Sequence, residues 1–350
     1  MKIVFDCFKL IKGVGKSIGI YNLSLNLVKN LSVEHELIVF GNEYNEKDFN
    51  INKVNFIKIT DFNPESKKDC LIWELYEVSR KAKKINADKI VFPRGFCSLL
   101  HPVEDIIIIH DMIPFYYNEK FPKYFNRIEN LYIMYRLKQS ARTCKKIITI
   151  SDESKNDIIK YTNVSENKIS VIYNGINNVN ISSEKKENYI CAITSKLPHK
   201  NYDGIMKAYN EYLNISKNPL NLKIIGYDGI NTDKISFYKY IENENELYSI
   251  IKKARLFLFL SLKEGFGFPP IEAMQLGTPV ITSNISSIPE IVGDAAILVN
   301  PNNNKQIASQ IENVCINEKL QAKLIELGYQ NIKRFNWENI SKEYWAAITR

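Results

Sequence analysis

The stretch over residues 256–300 constrains the fold of this chain more than any other. It opens with the apolar run LFLFL at 256–260, of strand length, and reaches a tight turn at Gly265, Phe266 and Gly267. Pro269 and Pro270 follow where a helix can begin, because a first-turn residue needs no N–H. The spacing predicts a helix through Ile271, Glu272, Ala273 and Met274 that stops near Gly277, then another strand at 280–282. A strand, a glycine turn and a helix start form a cradle of backbone N–H groups at the positive end of a helix dipole, which suits a diphosphate. Glu264 stands at the lip of that cradle, and Glu272, with seven residues between, lies one to two turns into the helix. Both carboxylates are placed to accept hydrogen bonds from sugar hydroxyls. Taken singly, each would ordinarily be a solvated surface group.

Short apolar runs alternate with helical stretches along the chain. Strands are predicted at 2–5, 36–40, 54–59, 89–92, 106–109 and 146–150, with helices among them at 19–29, 71–84 and 123–142. Such alternation argues for a doubly wound parallel sheet covered on both faces. A polar run at 177–188, rich in Asn, Ser, Glu and Lys, reads as a linker. Beyond it a second set begins, with strands at 189–193, 222–225, 256–260, 279–282 and 296–299 and a helix at 202–213. At 350 residues the chain exceeds what one core usually supports. The expected fold is α/β, with two doubly wound Rossmann-like domains over 1–172 and 173–335 facing across a cleft. Ligands of such sheets bind at the C-terminal edges of the strands.

Composition is that of a soluble globular protein, 45% hydrophobic and 25% charged. The formal charge of 47 − 39 = +8 favours anionic partners such as nucleotides, diphosphate-linked lipids or an anionic membrane face. The basic residues are spread out and no nucleic-acid motif accompanies them, so no nucleic-acid partner is expected. The six cysteines, Cys7, Cys70, Cys97, Cys144, Cys191 and Cys315, have no paired spacing and no nearby histidine cluster. They read as buried thiols in a reducing compartment, not as a disulfide frame or a zinc site. The N-terminus has no signal-peptide layout, and no apolar run approaches the roughly 18 to 20 residues that span a bilayer. A cytoplasmic protein is expected, with any membrane contact peripheral and at the inner face. The helical stretch at 123–146 carries Ile128, Leu131, Tyr132 and Tyr135 on one face, with Arg136, Lys138 and other basic residues around it. An interfacial helix and a core-facing helix both fit this pattern, and the core-facing one is the commoner.

Further groups point to chemistry. His110 ends a predicted strand, at the functional edge of a parallel sheet, and Asp111 behind it is placed either for chemistry or to accept backbone N–H bonds in a turn. Lys200, between a strand and a helix, is placed to neutralise a diphosphate through charge-assisted bonds. The glycine-rich string KGVGKSIGIYNL at 12–23 lacks the GxGxxG order of a dinucleotide site. Glu290 reads as a capping or packing residue. No Asp-x-Asp that would hold a divalent ion occurs in the chain, so no metal and no cofactor are expected.

Three strings resemble elements of the retaining glycosyltransferases of family 4, which have the two-domain GT-B fold: SLKEGFGFPPIEAMQLGTPVITSNISSIPEIVGDAAILVN at 261–300, HDMIP at 110–114, and SKLPHKN at 195–201. The resemblance implies that Glu264 contacts the donor sugar, that Glu272 holds the ribose hydroxyls and that His110 faces the donor sugar across the cleft. It implies front-face transfer in which the departing phosphate oxygen takes the acceptor proton, and the lack of an Asp-x-Asp predicts that this transfer is metal-independent. It implies a closing helix at 336–350 that returns to the first domain. The chain departs from the family at two places. The family's arginine upstream of Lys200 is absent, with Ser195, Lys196 and His199 at the corresponding positions, so that Lys196 is the candidate replacement cation. The glycine loop reads Ser17, Ile18, Gly19, Ile20, Tyr21 where G-I-G-R-Y is usual, which leaves Ser17 and Gly19 as candidate acceptor or phosphate contacts. Hexosyl transfer from a nucleotide-diphosphate sugar, GDP-mannose favoured, to a glycan or lipid-linked acceptor in surface polysaccharide or O-antigen assembly is the expected reaction. A hydrolase or epimerase of the same fold and a non-catalytic sugar-nucleotide-binding scaffold are the alternatives.

Overall fold

The computed structural model describes residues 1–12, 18–179 and 184–350, so Ser17 lies outside the described residues. The chain divides into two units, Met1–Gly175 together with Phe335–Arg350, and Ile176–Arg334. The first unit holds seven parallel strands: β1 (Ile3–Asp6), β2 (Leu37–Gly41), β3 (Val54–Lys58), β4 (Lys89–Phe92), β5 (Glu104–Ile109), β6 (Lys146–Thr149) and β7 (Ile169–Val171). Their order is β3-β2-β1-β4-β5-β6-β7. Helices cover both faces, so the central strands β1 and β4 to β6 are near-continuous apolar runs. Trp73 anchors one side of this core, its ring centroid 4.9 Å from that of Phe8, and its indole N–H donates to Asp6 Oδ1 at 2.9 Å. It begins a π-helical turn, Trp73–Glu77, between the helices Lys67–Ile72 and Val78–Lys84, where the spacing predicts one continuous helix. Strand β7 is also absent from the sequence reading, being three residues long and at the sheet edge.

The helix Trp337–Thr349 belongs to this first unit. Trp345 stacks on His35 at 3.6 Å, while Lys146 and Lys89 donate to the carbonyls of Ala347 (2.8 Å) and Thr349 (3.3 Å). Two ammonium groups thus satisfy the last carbonyls at the negative end of that helix.

The second unit has six parallel strands: β8 (Tyr189–Ile193), β9 (Asn221–Ile225), β10 (Ile235–Tyr238), β11 (Leu256–Phe259), β12 (Val280–Ser283) and β13 (Ile297–Val299). Their order is β10-β9-β8-β11-β12-β13. The central strand β11, LFLF, is buried along its whole length. The helices Tyr202–Ile215 and Asn304–Ile316 pack Ile205, Ala208, Ile307 and Ile311 against the sheet. Strand β10 is missed by periodicity because it is an edge strand with mixed exposure. All six cysteines are buried free thiols. Among the described residues no helix is long and apolar enough to cross a membrane.

Candidate functional site

In the second unit the sequence-predicted residues gather at the C-terminal edge of the sheet. After β8 the chain makes a short turn, Pro198–Lys200, and Asn201 takes a left-handed conformation (φ 55°) that starts the helix Tyr202–Ile215. Asn201 holds this junction in place. Its Oδ1 accepts from the Gly204 N–H (3.2 Å), and its Nδ2 donates to the Leu260 carbonyl at the end of β11 (2.9 Å). The Lys200 carbonyl accepts from the Thr194 hydroxyl at 2.9 Å. Behind it, His199 is buried and its carbonyl accepts from Ser261 Oγ (3.0 Å) and the Leu262 N–H (2.7 Å). Burial, with Lys200 as the next cause, lowers the His199 pKa to about 4, so this imidazole is neutral. With its backbone fixed, Lys200 directs Nζ to Glu264 Oε1 at 2.6 Å, and both side chains are largely buried. Lys200 is therefore not a solvated helix-start lysine.

Glu264 is held by two serines that sequence reasoning missed. The Glu264 N–H donates to Ser286 Oγ (3.0 Å), and that same hydroxyl donates to the Glu264 carbonyl (2.9 Å). Ser287 Oγ lies 3.2 Å from the Glu264 carbonyl and 2.9 Å from that of Phe266. Ser286 has φ 61°, a conformation that costs a side-chain-bearing residue about 1 kcal/mol or more. The available signal was the run SNISS between a strand and a proline, but its pairing with Glu264 spans 22 residues and has no local period.

Past Glu264, Gly265 and Phe266 are buried, and Gly267 caps the helix Phe268–Gln275 at φ 110°. A Cβ on Gly267 would lie 2.6 Å from Ile288 Cδ1, so glycine is required here for both backbone and space. Gly267, as the N-cap, has no side chain with which to cap this helix start. Glu272 lies in the helix, facing Glu244 and Tyr248 on the helix Glu244–Lys253. Burial, reinforced by Glu244, raises its pKa to about 7. Lys196 is exposed in the turn after β8, and Glu290 sits in the short helix Ile288–Val292, where its carbonyl accepts from Arg334 (3.2 Å).

In the first unit a cavity of ≈ 620 Å³ is lined by Lys9, Arg94, His110, Asp111, Ile133 and Leu137, among others. His110 follows β5, and its Nε2 lies 2.8 Å from the Pro93 carbonyl. Because a carbonyl only accepts, Nε2 carries the hydrogen and Nδ1 is the lone-pair nitrogen. Burial lowers the His110 pKa to about 4, which keeps the ring neutral. The His110 carbonyl accepts from Ser154 Oγ at 3.0 Å. Asp111 Oδ1 accepts from the Ile113 N–H (2.9 Å), a turn-forming bond. Gly19 is exposed in the first turn of the helix Ile18–Leu31, and an added Cβ there would meet nothing within 4 Å.

The expectation of a core-facing apolar stripe on the helix Arg127–Thr143 is overturned. Ile128 (80% exposed), Leu131, Tyr132 and Tyr135 (65% exposed) all face outward. The buried face is instead Asn130, Arg136, Leu137, Ser140 and Ala141. Arg136 is not a surface charge: it donates to the Cys97 carbonyl at 2.6 Å and approaches Glu74 at 3.5 Å. Small and polar residues that bond to loop carbonyls won the inward face, which hydropathy could not foresee.

Comparison with known proteins identifies the family and the fold. The family model described as Glycosyltransferase Family 4 matches residues 17–178, and that described as Glycosyl transferases group 1 matches 177–331. The O-antigen chain mannosyltransferase RfbU of Salmonella typhimurium is 34% identical over 261 residues, covering 70% of each chain. The Escherichia coli O-antigen chain mannosyltransferase B is 27% identical over 93% of this chain and 94% of its own. Among solved structures, Anabaena HepE in complex with UDP and glucose superposes with a TM-score of 0.71 at 17% identity, covering 100% of this chain and 99% of its own. WaaG, a glycosyltransferase involved in lipopolysaccharide biosynthesis, gives 0.71 at 14% identity, covering 99% of both. The two all-parallel α/β units are those of the GT-B class. The chain belongs to the group 1, family 4 glycosyltransferases.

Proposed function

We propose that this chain is a retaining, metal-independent hexosyltransferase acting in surface polysaccharide assembly. It would take a nucleotide-diphosphate sugar as donor and a glycan or lipid-linked acceptor. The observation that carries the reading is the 2.6 Å pairing of Lys200 with Glu264, beside a glycine turn that leads into a helix whose N-cap is Gly267. In this reading the diphosphate lies over Gly265, Phe266 and Gly267, and Lys200 Nζ shares its charge between Glu264 and a phosphate oxygen. Lys196 is a second, weaker cation for the same group. Glu264 receives donor-sugar hydroxyls and Glu272 the ribose hydroxyls. Charge growing on the departing phosphate is then met by an ammonium and backbone N–H groups already fixed in place.

The acceptor belongs to the cavity of the first unit, where neutral His110 offers Nδ1 to a sugar hydroxyl. The Lys200 charge and the lack of an Asp-x-Asp both support metal-independent transfer in this reading. A mannosyl donor, GDP-mannose, is favoured because two relatives with high coverage are mannosyltransferases of O-antigen chains. The exposed apolar residues of the helix Arg127–Thr143, with Lys123 and Arg127 beside them, suit the anionic inner face of a cell membrane. The protein would thus work at the cytoplasmic side.

The test is release of nucleoside diphosphate from GDP-, UDP- and dTDP-sugars, with and without acceptor extract. GDP-mannose should support acceptor-dependent release with retained anomeric configuration. Lys200→Ala or Glu264→Ala in folded protein should reduce it at least ~100-fold. Release that ignores acceptor would identify a hydrolase, and no release across the panel would leave only a binding scaffold.

A further inference from the structure

Cys97, His101 and Asp105 recur at every fourth position between the end of β4 and the start of β5. The Cys97 thiol, a His101 ring nitrogen and one Asp105 carboxylate oxygen lie within 4.8 Å of one another. Cys97 and Asp105 are buried, whereas the His101 side chain is 33% exposed. Asp105 Oδ2 contacts His101 Nδ1, and Asp105 Oδ1 is buried with no hydrogen-bond partner among the described residues. A buried carboxylate oxygen without a partner carries its full desolvation cost, which a cation would relieve. An open cavity of ≈ 710 Å³ is lined by His101, Asp105, Thr143 and Cys144, among others, and so leaves room for water beside the cluster. The cysteine is held firmly: its N–H donates to Ser140 Oγ (3.0 Å) and its carbonyl accepts from Arg136 (2.6 Å).

We propose that Cys97, His101 and Asp105 bind a zinc ion, with water from the cavity at the fourth position. One thiolate, one imidazole and one carboxylate form a donor set that zinc accepts, each at about 2.0–2.3 Å. Three such ligands around one ion stand about 3.3–3.8 Å apart, so the donors need only small shifts. On binding, the Cys97 thiol gives its proton to solvent, the sulfur and the ion form a bond, and His101 Nδ1 exchanges its contact with Asp105 for the metal. No redox change occurs. Asp105 is the second residue of β5 and His110 follows the last, about 16 Å further along at the rise of a parallel strand. The ion is therefore a clamp that ties the loop after β4 to β5 and takes no part in transfer. The absence of paired cysteine spacing led the sequence reading away from this cluster, because only one thiol contributes to it.

Cobalt(II) added to the intact chain tests the site. One equivalent should produce a thiolate-to-cobalt charge-transfer band in the near ultraviolet, and Cys97→Ser should abolish it. His101→Ala changes a surface residue and should weaken zinc at least about 10-fold in competition with a chromophoric chelator. No band in the wild-type protein, the same band in Cys97→Ser, or unchanged zinc affinity in His101→Ala would each overturn the proposal.

Discussion

Replacing Glu272 by Gln removes a charge that burial and Glu244 both oppose. The carboxyl titrates near 4.5 in its unperturbed state and at about 7 in the folded protein. Each tenfold difference in proton affinity is worth about 1.36 kcal/mol, so the ionised side chain destabilises the folded state by about 3 kcal/mol. Glu272 keeps partial contact with solvent, and screening brings this to about 2 kcal/mol. The folded state holds the proton more tightly than the unfolded one. Its contribution to stability is thus fully present below pH 4.5 and is lost as pH rises to about 7. Glu272→Gln is neutral throughout and escapes that loss. Its melting temperature should exceed the wild-type value by roughly 4–8 °C above pH 8, for a unit of this size, and by little at pH 5. Scanning calorimetry across that range measures the difference. The same variant should lose roughly 10–100-fold in donor affinity by titration calorimetry, because hydrogen bonds to a charged acceptor are worth about 1.5–3 kcal/mol. A side chain that weakens the empty protein and strengthens binding is a mark of a functional site. A melting difference that does not change with pH, or a wild type more stable at pH 8.5, would refute the reasoning.

Removing the Ser286 hydroxyl strips the Glu264 peptide of a donor and an acceptor, about 2 kcal/mol in all, so Ser286→Ala should lower kcat up to ~30-fold. Ser286→Gly should lose as much activity but less stability, since glycine accepts φ 61° without strain; equal melting losses in the two variants would argue against that account. His110 should stay neutral down to pH 5, so an imidazole NMR titration with a midpoint near 6.5 would contradict its burial. Ile128→Asp together with Tyr135→Ser should reduce sedimentation with phosphatidylglycerol vesicles at least ~10-fold while leaving the melting temperature unchanged, because both side chains are exposed; unchanged sedimentation would exclude the helix as the contact.

The sequence by itself determined the two parallel sheets and the elements that bear the site. Continuous apolar runs such as those of β5 and β11 bury both faces whatever their neighbours, and a Gly-Phe-Gly turn before Pro-Pro admits few backbone paths. That logic is local, so strand positions, the helix start at Phe268 and the placement of Glu264, Lys200 and His110 at strand ends were all legible. Tertiary structure alone decided which side chains meet across long separations. Lys200 pairs with Glu264 over 64 residues and Ser286 with Glu264 over 22, while Arg136 turned inward to bond the Cys97 carbonyl. It also set the Glu272 pKa through a neighbour on another helix, and turned four apolar residues at 128–135 toward solvent. The physical reason is that burial and charge are properties of a place. A one-dimensional pattern gives each residue its chemistry and its periodicity, but only the packed sheet and its helices determine what surrounds it.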